Sequence, residues 1–264
     1  MPINSFLYPG AKTTLAYEVA NSLRLDDGSS DYLSRTQSTA TNRRKYTLSF
    51  WVKRSNLTAT QNINSYDSGG NLLEQVRFNS DDTFQWGHRT SGGTYYRLIT
   101  TQVFRDVSAW SHFVVAIDTT QGTDSNRAKI YHNGSQITSF GTEDYPTQNL
   151  DTEINHSNTV DYFRWQAGSG YFDGYATEVV FIDGSQLDPT SFGEFDEDSP
   201  TIWKPKSVSG LTFGTNGFYL DFEDSSALGA DVSGSSNSFT VNNLTAIDQS
   251  TDTCTNNFAT LNPL

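Results

Sequence analysis

The sequence predicts an all-β architecture, either a sandwich or a barrel, on three observations. Apolar and polar residues alternate over short stretches along much of the chain, which is the pattern of half-buried strands. Aromatic residues make up 13% of the chain, and Gly, Ser, Thr, Asn and Asp are abundant, as in sheets joined by tight turns. Helix signals are scarce, and 264 residues suffice for one large all-β domain or two small ones.

Three stretches show the strand pattern most clearly: "YTLSFWVKR", "SHFVVAID" and "GFYLDFED". Alternate residues of a strand point to opposite faces, so each stretch should turn one apolar face to the core. The expected core residues are Tyr46, Leu48, Phe50 and Val52 in the first, Phe113, Val115 and Ile117 in the second, and Phe218, Leu220 and Phe222 in the third.

A hairpin is predicted in "AKIYHNGSQITS", where Asn133-Gly134 separates two alternating runs. Both residues tolerate the positive φ of a type I′ turn, and a two-residue loop fixes the register. His132 should then face Ser135, Tyr131 should face Gln136, and Ile130 should pair with Ile137 on the core face. We interpret His132 as a structural residue at the rim of the core and not as a ligand.

Two other segments depart from the simple strand pattern. The more polar stretch between Trp51 and Trp110 suggests a meander with long loops. The best helix signal is "LDPTSFGEF", in which Asp188 can cap and Pro189 suits the first helical position. It predicts one short helix near residues 188–195.

Charge and cysteine content exclude several classes of function. The formal net charge is −13, so neither nucleic acid nor an anionic membrane surface is an expected partner. Cys254 is the single cysteine, so no internal disulfide is possible. No signal peptide or membrane-spanning stretch is recognisable. The chain is therefore expected to fold in a reducing cytosol, unless a targeting segment has been removed.

The run "GEFDEDSP" places Glu194, Asp196 and Asp198 at every second position. Carboxyl groups at such spacing on a strand could cleave glycosidic bonds. Pro200 and the predicted helical turn argue against a central strand, however, and Glu197 adds a fourth carboxylate that an exposed loop tolerates more easily than a dry cleft. We therefore interpret this run as a solvated connection and predict no catalytic residue.

Glycan recognition would need aromatic rings and planar polar groups on the surface. The candidates lie in "FQWGHRTSGGTYYR" and "FRWQAGSGYF", and they are Trp86, His88, Tyr95, Tyr96, Trp165 and Tyr171. The alternative is that these aromatic side chains pack in the core or against a neighbouring subunit. The four histidines lack zinc spacing, and the Gly-rich turns lack the Lys of a phosphate loop, so no metal and no cofactor are predicted.

The order of these motifs resembles the laminin-G-like jelly roll of the concanavalin A-like lectin and glucanase superfamily. The resemblance covers roughly residues 21–245, and its most specific parts are the strand ending in Asn133-Gly134 and the phrase "YFDGYATEVVFIDGSQLDPTSFGEF". It implies an antiparallel β-sandwich jelly roll with an arm at 1–20 and a docking tail at 246–264. Thr177 stands where many relatives have an acidic residue, which puts a metal or polar contact there in doubt.

The C-terminal part has a second, narrower resemblance. The stretches "WKPKSVSGLTFGTNGFYLDFEDSSALGADVSGSSNSFTVNNL" and "TNNFATLNPL" resemble virion proteins of tailed bacteriophages, particularly marine ones. That resemblance implies a non-enzymatic protein of the virion surface, made in the host cytoplasm and placed in a tail or head fibre, a spike or a capsid decoration. Its expected partners are other virion proteins, two further copies in a homotrimer, and host-surface polysaccharide. The arm and "FATLNPL" would dock. The alternatives are a dedicated receptor-binding lectin and, ranked below it, a polysaccharide depolymerase.

Overall fold

The computed structural model describes residues 17–69 and 73–256. In these ranges nearly all regular structure is β-strand, joined by turns and four single-turn 3-10 helices. The strands in chain order are β1 (Ser22–Leu25), β2 (Tyr32–Thr36), β3 (Lys45–Arg54), β4 (Gln61–Asp67), β5 (Leu73–Phe78), β6 (Thr83–Arg89), β7 (Tyr95–Val103), β8 (Ser111–Asp118), β9 (Ala128–His132), β10 (Ser135–Ile137), β11 (Phe140–Asp144), β12 (Thr159–Tyr162), β13 (Gly174–Asp183), β14 (Gly193–Phe195), β15 (Trp203–Pro205), β16 (Phe218–Leu220), β17 (Thr240–Asn242) and β18 (Gln249–Ser250). The 3-10 helices are Asp124–Asn126, Pro189–Ser191, Ala246–Asp248 and Cys254–Asn256.

The strands form two antiparallel sheets and a small separate hairpin. The first sheet has the order β10-β9-β8-β3-β13-β1-β18, and β16 pairs with the second half of β13. The second sheet has the order β11-β7-β6-β5-β4-β12-β2-β17. Strands β14 and β15 make the hairpin. Because β4 to β7 are consecutive neighbours, the predicted meander is confirmed, although its turns at 79–82 and 90–94 are short.

The hydrophobic core fills the space between the two sheets. Phe113 of the first sheet stacks on Phe84 of the second with ring centroids 4.5 Å apart, and Phe50 lies 6.3 Å from the same ring. Burying side chains of this size contributes about 1.5–3 kcal/mol each. The predicted antiparallel sandwich is therefore confirmed, and so are the three predicted apolar faces, whose residues all belong to this core.

The predicted hairpin is also confirmed. Asn133 and Gly134 both have positive φ, 45° and 79°, and β9 pairs with β10 in the expected register, with Ile130 opposite Ile137. The two isoleucines are both part of the core.

The short helix predicted near 188–195 is confirmed as a single 3-10 turn. The helical turn covers only Pro189–Ser191, and Asp188 makes no side-chain cap hydrogen bond. From Gly193 the chain is a strand, because Gly193 pairs with Pro205 and lies flat against the indole of Trp203. A Cβ at Gly193 would come 2.6 Å from that indole. A tertiary contact with a residue ten positions away thus ends the helix.

Parts of the predicted arm and tail lie outside the described residues, namely 1–16 and 257–264, including "FATLNPL". The described ends contact the sandwich. The Tyr17 hydroxyl donates to Glu178 of β13 at 2.9 Å, and β18 pairs with β1 beyond residue 245. The domain boundaries at 21 and 245 remain predictions.

Candidate functional site

The outer faces of the two sheets differ in what covers them. On the first sheet, Val114, Val180 and Ile182 pack beneath Phe192 and Val208, so the segment that follows β13 crosses this face. A second apolar cluster, formed by Val19, Trp51, Trp110, Trp203 and Cys254, extends that cover. The second sheet presents a polar surface instead, and this surface is the candidate site.

Strands β5, β6 and β7 form the central part of the second sheet. Their inward residues include Val76, Phe84, Trp86 and Leu98, which belong to the core. The residues between them therefore turn outward. These outward positions include Gln75, Arg77, Gln85, Gly87, Tyr95 and Arg97, and the register places Arg77 opposite Gln85 and Gly87 opposite Arg97. Arg77, Tyr95 and Arg97 are partly exposed, whereas Gln75, Gln85 and Gly87 are buried.

Tyr95 is fixed at the centre of this surface. Its hydroxyl accepts hydrogen bonds from the side-chain amides of Gln75 at 2.5 Å and Gln85 at 3.2 Å. Its ring lies over Gly87, where a Cβ would come within 3.1 Å of the ring carbon Cε2 and of the hydroxyl oxygen. The absence of a side chain at Gly87 therefore makes room for a ring held flat on the sheet.

Two arginines flank this ring. The guanidinium of Arg97 stacks on Tyr95, 4.7 Å from the ring centroid. The Nε atom of Arg97 is buried without a hydrogen-bond partner. Arg77 donates from Nε to Asn79 at 2.8 Å, and its terminal nitrogens reach Gln75 and Gln85 only at 3.4 Å. Burial lowers the pKa of Arg77, and the neighbouring Arg97 charge lowers it further.

The far side of the same face carries a second group of planar side chains. The Arg164 guanidinium lies 3.4 Å from the ring centroid of Tyr32, and it forms an ion pair with Asp161 at 2.8 Å. The ring of Tyr171 lies 6.5 Å from that of Tyr32. This group differs from the first because its arginine is neutralised by a carboxylate.

Two of the predicted glycan contacts lie in the interior. Trp86 and His88 are 0% and 1% exposed. The Trp86 Nε1–H donates to the Tyr46 hydroxyl at 2.9 Å, and the His88 ring lies 3.4 Å from the buried carboxylate of Glu74. Burial opposes ionisation of Glu74, but its hydrogen bonds with His88 and Tyr46 outweigh burial, and its pKa is lowered. For these two side chains the core alternative holds, and a surface ligand cannot reach them.

The other four candidates are partly exposed but do not form one group. Tyr95 lies on the outer face, as described. Tyr96 points the other way, packs against the core and directs its hydroxyl to Thr147 at 3.4 Å. Trp165 belongs to the turn closed by its backbone pairing with Ser169. Tyr171 lies beside Tyr32. Of the predicted residues, only Tyr95 therefore belongs to the candidate site, and its neighbours there are residues that the sequence analysis did not select.

The missed residues are Gln75, Arg77, Gln85 and Arg97. A signal for them was present, since "EQVRF", "TFQWGHR" and "YYRLI" each alternate planar polar residues with apolar ones. Applying the period-two rule to those stretches turns the glutamines and arginines outward and Trp86 inward. The pairing register, which the sequence does not give, is then needed to place them side by side.

The acidic run faces solvent, as interpreted from the sequence. Glu194, Glu197 and Asp198 are exposed. Lys204 of the paired strand lies 3.6 Å from the Glu194 carboxylate and 3.2 Å from Asp196. The hydrogen bond from Lys204 lowers the pKa of Asp196. This arrangement is a charged surface hairpin.

A cavity of about 350 Å³ opens at one end of the sandwich, next to the turn that follows β9. His132 lies in its wall between the rings of Phe104 and Phe113, each 4.9 Å from the imidazole. Burial lowers the pKa of His132 to about 4. This packing supports the structural role predicted for His132.

Within the described ranges, no group of three or more His, Cys, Asp or Glu side chains could hold a metal ion. No helix among the described residues is long and apolar enough to cross a membrane. Cys254 is buried.

The sandwich and its polar outer face define the chain as a lectin-like jelly roll. The chain belongs to the concanavalin A-like lectin/glucanases superfamily, because the laminin-G-type profile of that superfamily matches residues 27–187. No curated protein sequence matches it.

Several solved structures share the fold. A Bacteroides ovatus protein proposed to bind carbohydrate is 14% identical with a TM-score of 0.52, and the match covers 86% of this chain and 61% of that one. The heptameric SAP-like pentraxin of Limulus polyphemus is 17% identical with a TM-score of 0.45, covering 65% and 80%. Domains LG4-5 of the mouse laminin α1 chain are 11% identical with a TM-score of 0.44, covering 80% and 50%. The chain thus spans less than two thirds of the Bacteroides and laminin structures, and the similarity is one of fold.

Proposed function

We propose that this chain is a non-enzymatic glycan-binding module and that the glycan lies on the outer face of β5, β6 and β7. One observation carries the proposal. The partly exposed ring of Tyr95 is held in place by the buried amides of Gln75 and Gln85 and is flanked by the partly exposed Arg77 and Arg97. Aromatic rings with planar polar neighbours are the groups that a sugar requires for binding.

The chemistry of the match is direct. A pyranose ring has an apolar C–H face that packs on an aromatic ring, and hydroxyl groups around its edge that take hydrogen bonds. The Tyr95 hydroxyl accepts from Gln75 and Gln85, so its own proton remains for a ligand oxygen. Because these contacts already fix Tyr95, binding would cost little ordering entropy.

The family context agrees with this proposal. The chain shares its fold with a Bacteroides ovatus protein proposed to bind carbohydrate. Fold alone does not fix function, so the proposal depends on the residues of the outer face and must be tested there.

Glycan binding is tested with an array that includes bacterial surface polysaccharides. We expect saturable binding by the wild-type chain and an affinity about tenfold or more lower for Tyr95→Ala, since the stacked ring and one hydrogen bond are lost. Phe195→Ala is the matched control, because Phe195 is a 46% exposed aromatic residue on the separate hairpin. Equal binding by wild type and Tyr95→Ala, or no saturable binding at millimolar glycan, would overturn the proposal.

The absence of hydrolysis is part of the proposal. A glycosidase needs two carboxyl groups across the scissile bond, one of them kept protonated by a raised pKa. In the acidic run the pKa of Asp196 is lowered by Lys204, and Glu194 is exposed. We expect no release of reducing ends from any polysaccharide that the chain binds. Release that is lost in Glu194→Gln would contradict this expectation and favour a depolymerase.

We propose further that the module stands on the surface of a bacteriophage virion, as a homotrimer in a fibre, spike or capsid decoration. The support is the resemblance of residues 203–244 to tailed-phage virion proteins. Mass spectrometry and an electron-microscopy map of purified particles test this setting. A particle without the chain would overturn it. A dedicated receptor-binding lectin is favoured instead if soluble chain carrying intact Tyr95 blocks phage adsorption.

A further inference from the structure

We infer that the saccharide bound by this face carries an anionic group, a carboxylate or a sulfate, and that Arg77 and Arg97 bind it. The inference rests on the proposed function and narrows it to acidic glycans. It comes from the charges of the face and not from the ring of Tyr95.

Arg77 and Arg97 differ from most arginines of the chain. The formal net charge is −13, so carboxylates are plentiful, and ion pairs within 4 Å hold Arg24, Arg43, Arg44, Arg54, Arg105 and Arg164. Among the described residues, no carboxylate forms such a pair with Arg77 or Arg97. Asp144 stands opposite Arg97 in the pairing register but is not within that distance. Two half-buried cations have thus been left without counter-charges on one surface.

The geometry leaves both guanidinium groups with donors to spare. Arg97 is oriented by stacking on Tyr95. Its Nε atom is buried, but its terminal nitrogens are not among the buried unpaired atoms and donate no hydrogen bond to a described residue. The terminal nitrogens of Arg77 reach only amide oxygens at 3.4 Å, the long limit of a hydrogen bond. An incoming anion would therefore find unsatisfied N–H groups from two sides of the Tyr95 ring.

The chemical class follows from these groups. A planar guanidinium donates two parallel N–H bonds to a carboxylate or a sulfate. The negative charge of the rest of the chain is screened beyond about 8 Å at physiological salt. The two nearby arginines therefore determine that this surface attracts an anion. A uronic acid or sulfated sugar would lie against the stacked Tyr95 and Arg97 side chains, with its anion at the guanidinium groups.

The test compares two anionic polysaccharides with neutral partners of the same backbone. Oligomers of polygalacturonate are paired with their methyl esters, and dextran sulfate is paired with dextran. Calorimetric titration uses wild type, Arg77→Gln, Arg97→Gln and Arg97→Lys. The control is Lys206→Gln, which removes one exposed positive charge from the segment over the first sheet. Unchanged thermal unfolding shows that each variant is folded.

We expect wild type to bind at least one anionic polymer more tightly than its neutral partner, by about 10- to 100-fold, the usual effect of a charged hydrogen bond. Arg77→Gln and Arg97→Gln should remove most of that preference, Arg97→Lys should restore only part of it, and Lys206→Gln should leave it unchanged. Binding of polygalacturonate alone assigns a carboxylate, and binding of dextran sulfate alone assigns a sulfate.

Three outcomes overturn the inference. Equal binding of charged and neutral partners, dependent on Tyr95, leaves the proposed function standing and removes the anion. A preference that falls as much in Lys206→Gln as in the arginine variants indicates diffuse electrostatics. Failure of all four polymers and of every array glycan removes the inference and the proposed function together.

Discussion

The strands of both sheets alternate inward and outward residues, but the outer face of the first sheet is covered by another part of the chain, whereas that of the second sheet (the open face) is not covered by the described residues. On the first sheet the outward residues Val114, Val180 and Ile182 are apolar and lie under the chain that follows β13. On the second sheet the outward residues of β5 to β7 include Arg77, Tyr95 and Arg97, which are partly exposed, and Gln75 and Gln85, which are buried. A polar outer face therefore indicates a binding surface only by comparison with the other sheet, whose outer face is apolar and is covered by another part of the chain.

The two faces also treat their polar groups differently. On the covered face the buried His112 is fully hydrogen-bonded, whereas the buried Trp51 Nε1–H has no partner among the described residues. His112 accepts from the Trp203 Nε1–H at 2.9 Å through Nδ1, while its Nε2 meets Ser49 at 2.8 Å. Burial lowers the pKa of His112 to about 3, so the ring is neutral. On the open face, Arg77 and Arg97 keep charges that no described carboxylate pairs with. The unpaired group on the covered face is a neutral indole, whereas the groups without a described counter-charge on the face of the second sheet are two cations.

The largest loss of stability is expected when a side chain that covers the outer face of the first sheet is removed. Trp203 is 7% exposed and packs against Gly134, Gly193 and the ring of His112. Trp203→Ala should lower the free energy of unfolding by about 3–5 kcal/mol, since it leaves a cavity and an unpaired His112. Tyr95→Ala on the open face should cost less than about 1 kcal/mol. Urea denaturation of both variants measures the difference.

A control separates packing from hydrogen bonding. Trp203→Phe keeps a ring but removes the N–H that His112 accepts, and it should cost about 1–3 kcal/mol for the unsatisfied nitrogen. If Tyr95→Ala destabilises the chain as much as Trp203→Ala, the open face is structural and the distinction between the two faces fails.

The fold was predictable because its signals are local. Alternation in β3 and β8 gave the correct core faces, and Asn133-Gly134 gave the correct hairpin register. The helix predicted near 188–195 is limited to the single turn Pro189–Ser191, since Trp203 and Pro205 hold Gly193 in a strand. Short local patterns determine structure only until a tertiary contact of several kcal/mol opposes them.

The site was less predictable because it depends on contacts across strands. Sequence reasoning found Tyr95 as an aromatic residue in a loop-rich region, but it also chose Trp86 and His88, which a buried network with Glu74 and Tyr46 holds inside. That network joins β3, β5 and β6, and pairing order is not written in any one of those segments. The unpaired state of Arg77 and Arg97 is a property of the whole surface.

The second prediction concerns the pH dependence of stability that a buried carboxyl group of the first sheet, Glu178, produces. Glu178 of β13 is 5% exposed and accepts hydrogen bonds from Tyr17 at 2.9 Å and Tyr219 at 2.7 Å. Burial is the main reason that its pKa is raised to about 7, and the negative charges of Asp221 and Glu223 add to it. The folded chain therefore keeps a proton that the unfolded chain releases near pH 4.5.

The sign of the effect follows from that proton. Between pH 4.5 and 7 the folded state binds more protons than the unfolded state, so this group's contribution to stability falls as pH rises, by up to about 3 kcal/mol. Glu178→Gln resembles the protonated form and should gain on wild type across this window. Urea denaturation of both at pH 5 and pH 8 checks it. A difference between the two chains that is the same at both pH values would contradict the burial of an ionisable Glu178.

The smallest change in stability is expected on the open face, together with a loss of binding. A Cβ at Gly87 would come 2.8 Å from the Gln85 amide nitrogen and 3.1 Å from the Tyr95 ring. Both contacts are with the ends of side chains, which can swing away, so Gly87→Ala should change the free energy of unfolding by less than about 1 kcal/mol. The displaced ring would no longer meet Gln75 and Gln85, and glycan affinity should fall about tenfold.

Gly92→Ala in the turn after β6 is the matched control, because a Cβ there meets nothing closer than 3.8 Å. It should leave both stability and binding unchanged. Titration with the glycan bound by wild type, followed by urea denaturation of the same samples, measures both quantities on each variant. If Gly87→Ala binds as wild type does, the fixed position of Tyr95 is not what the ligand requires. If it unfolds as readily as Trp203→Ala, the outer face of the second sheet contributes to stability like the covered face, and its role as a binding surface must be given up.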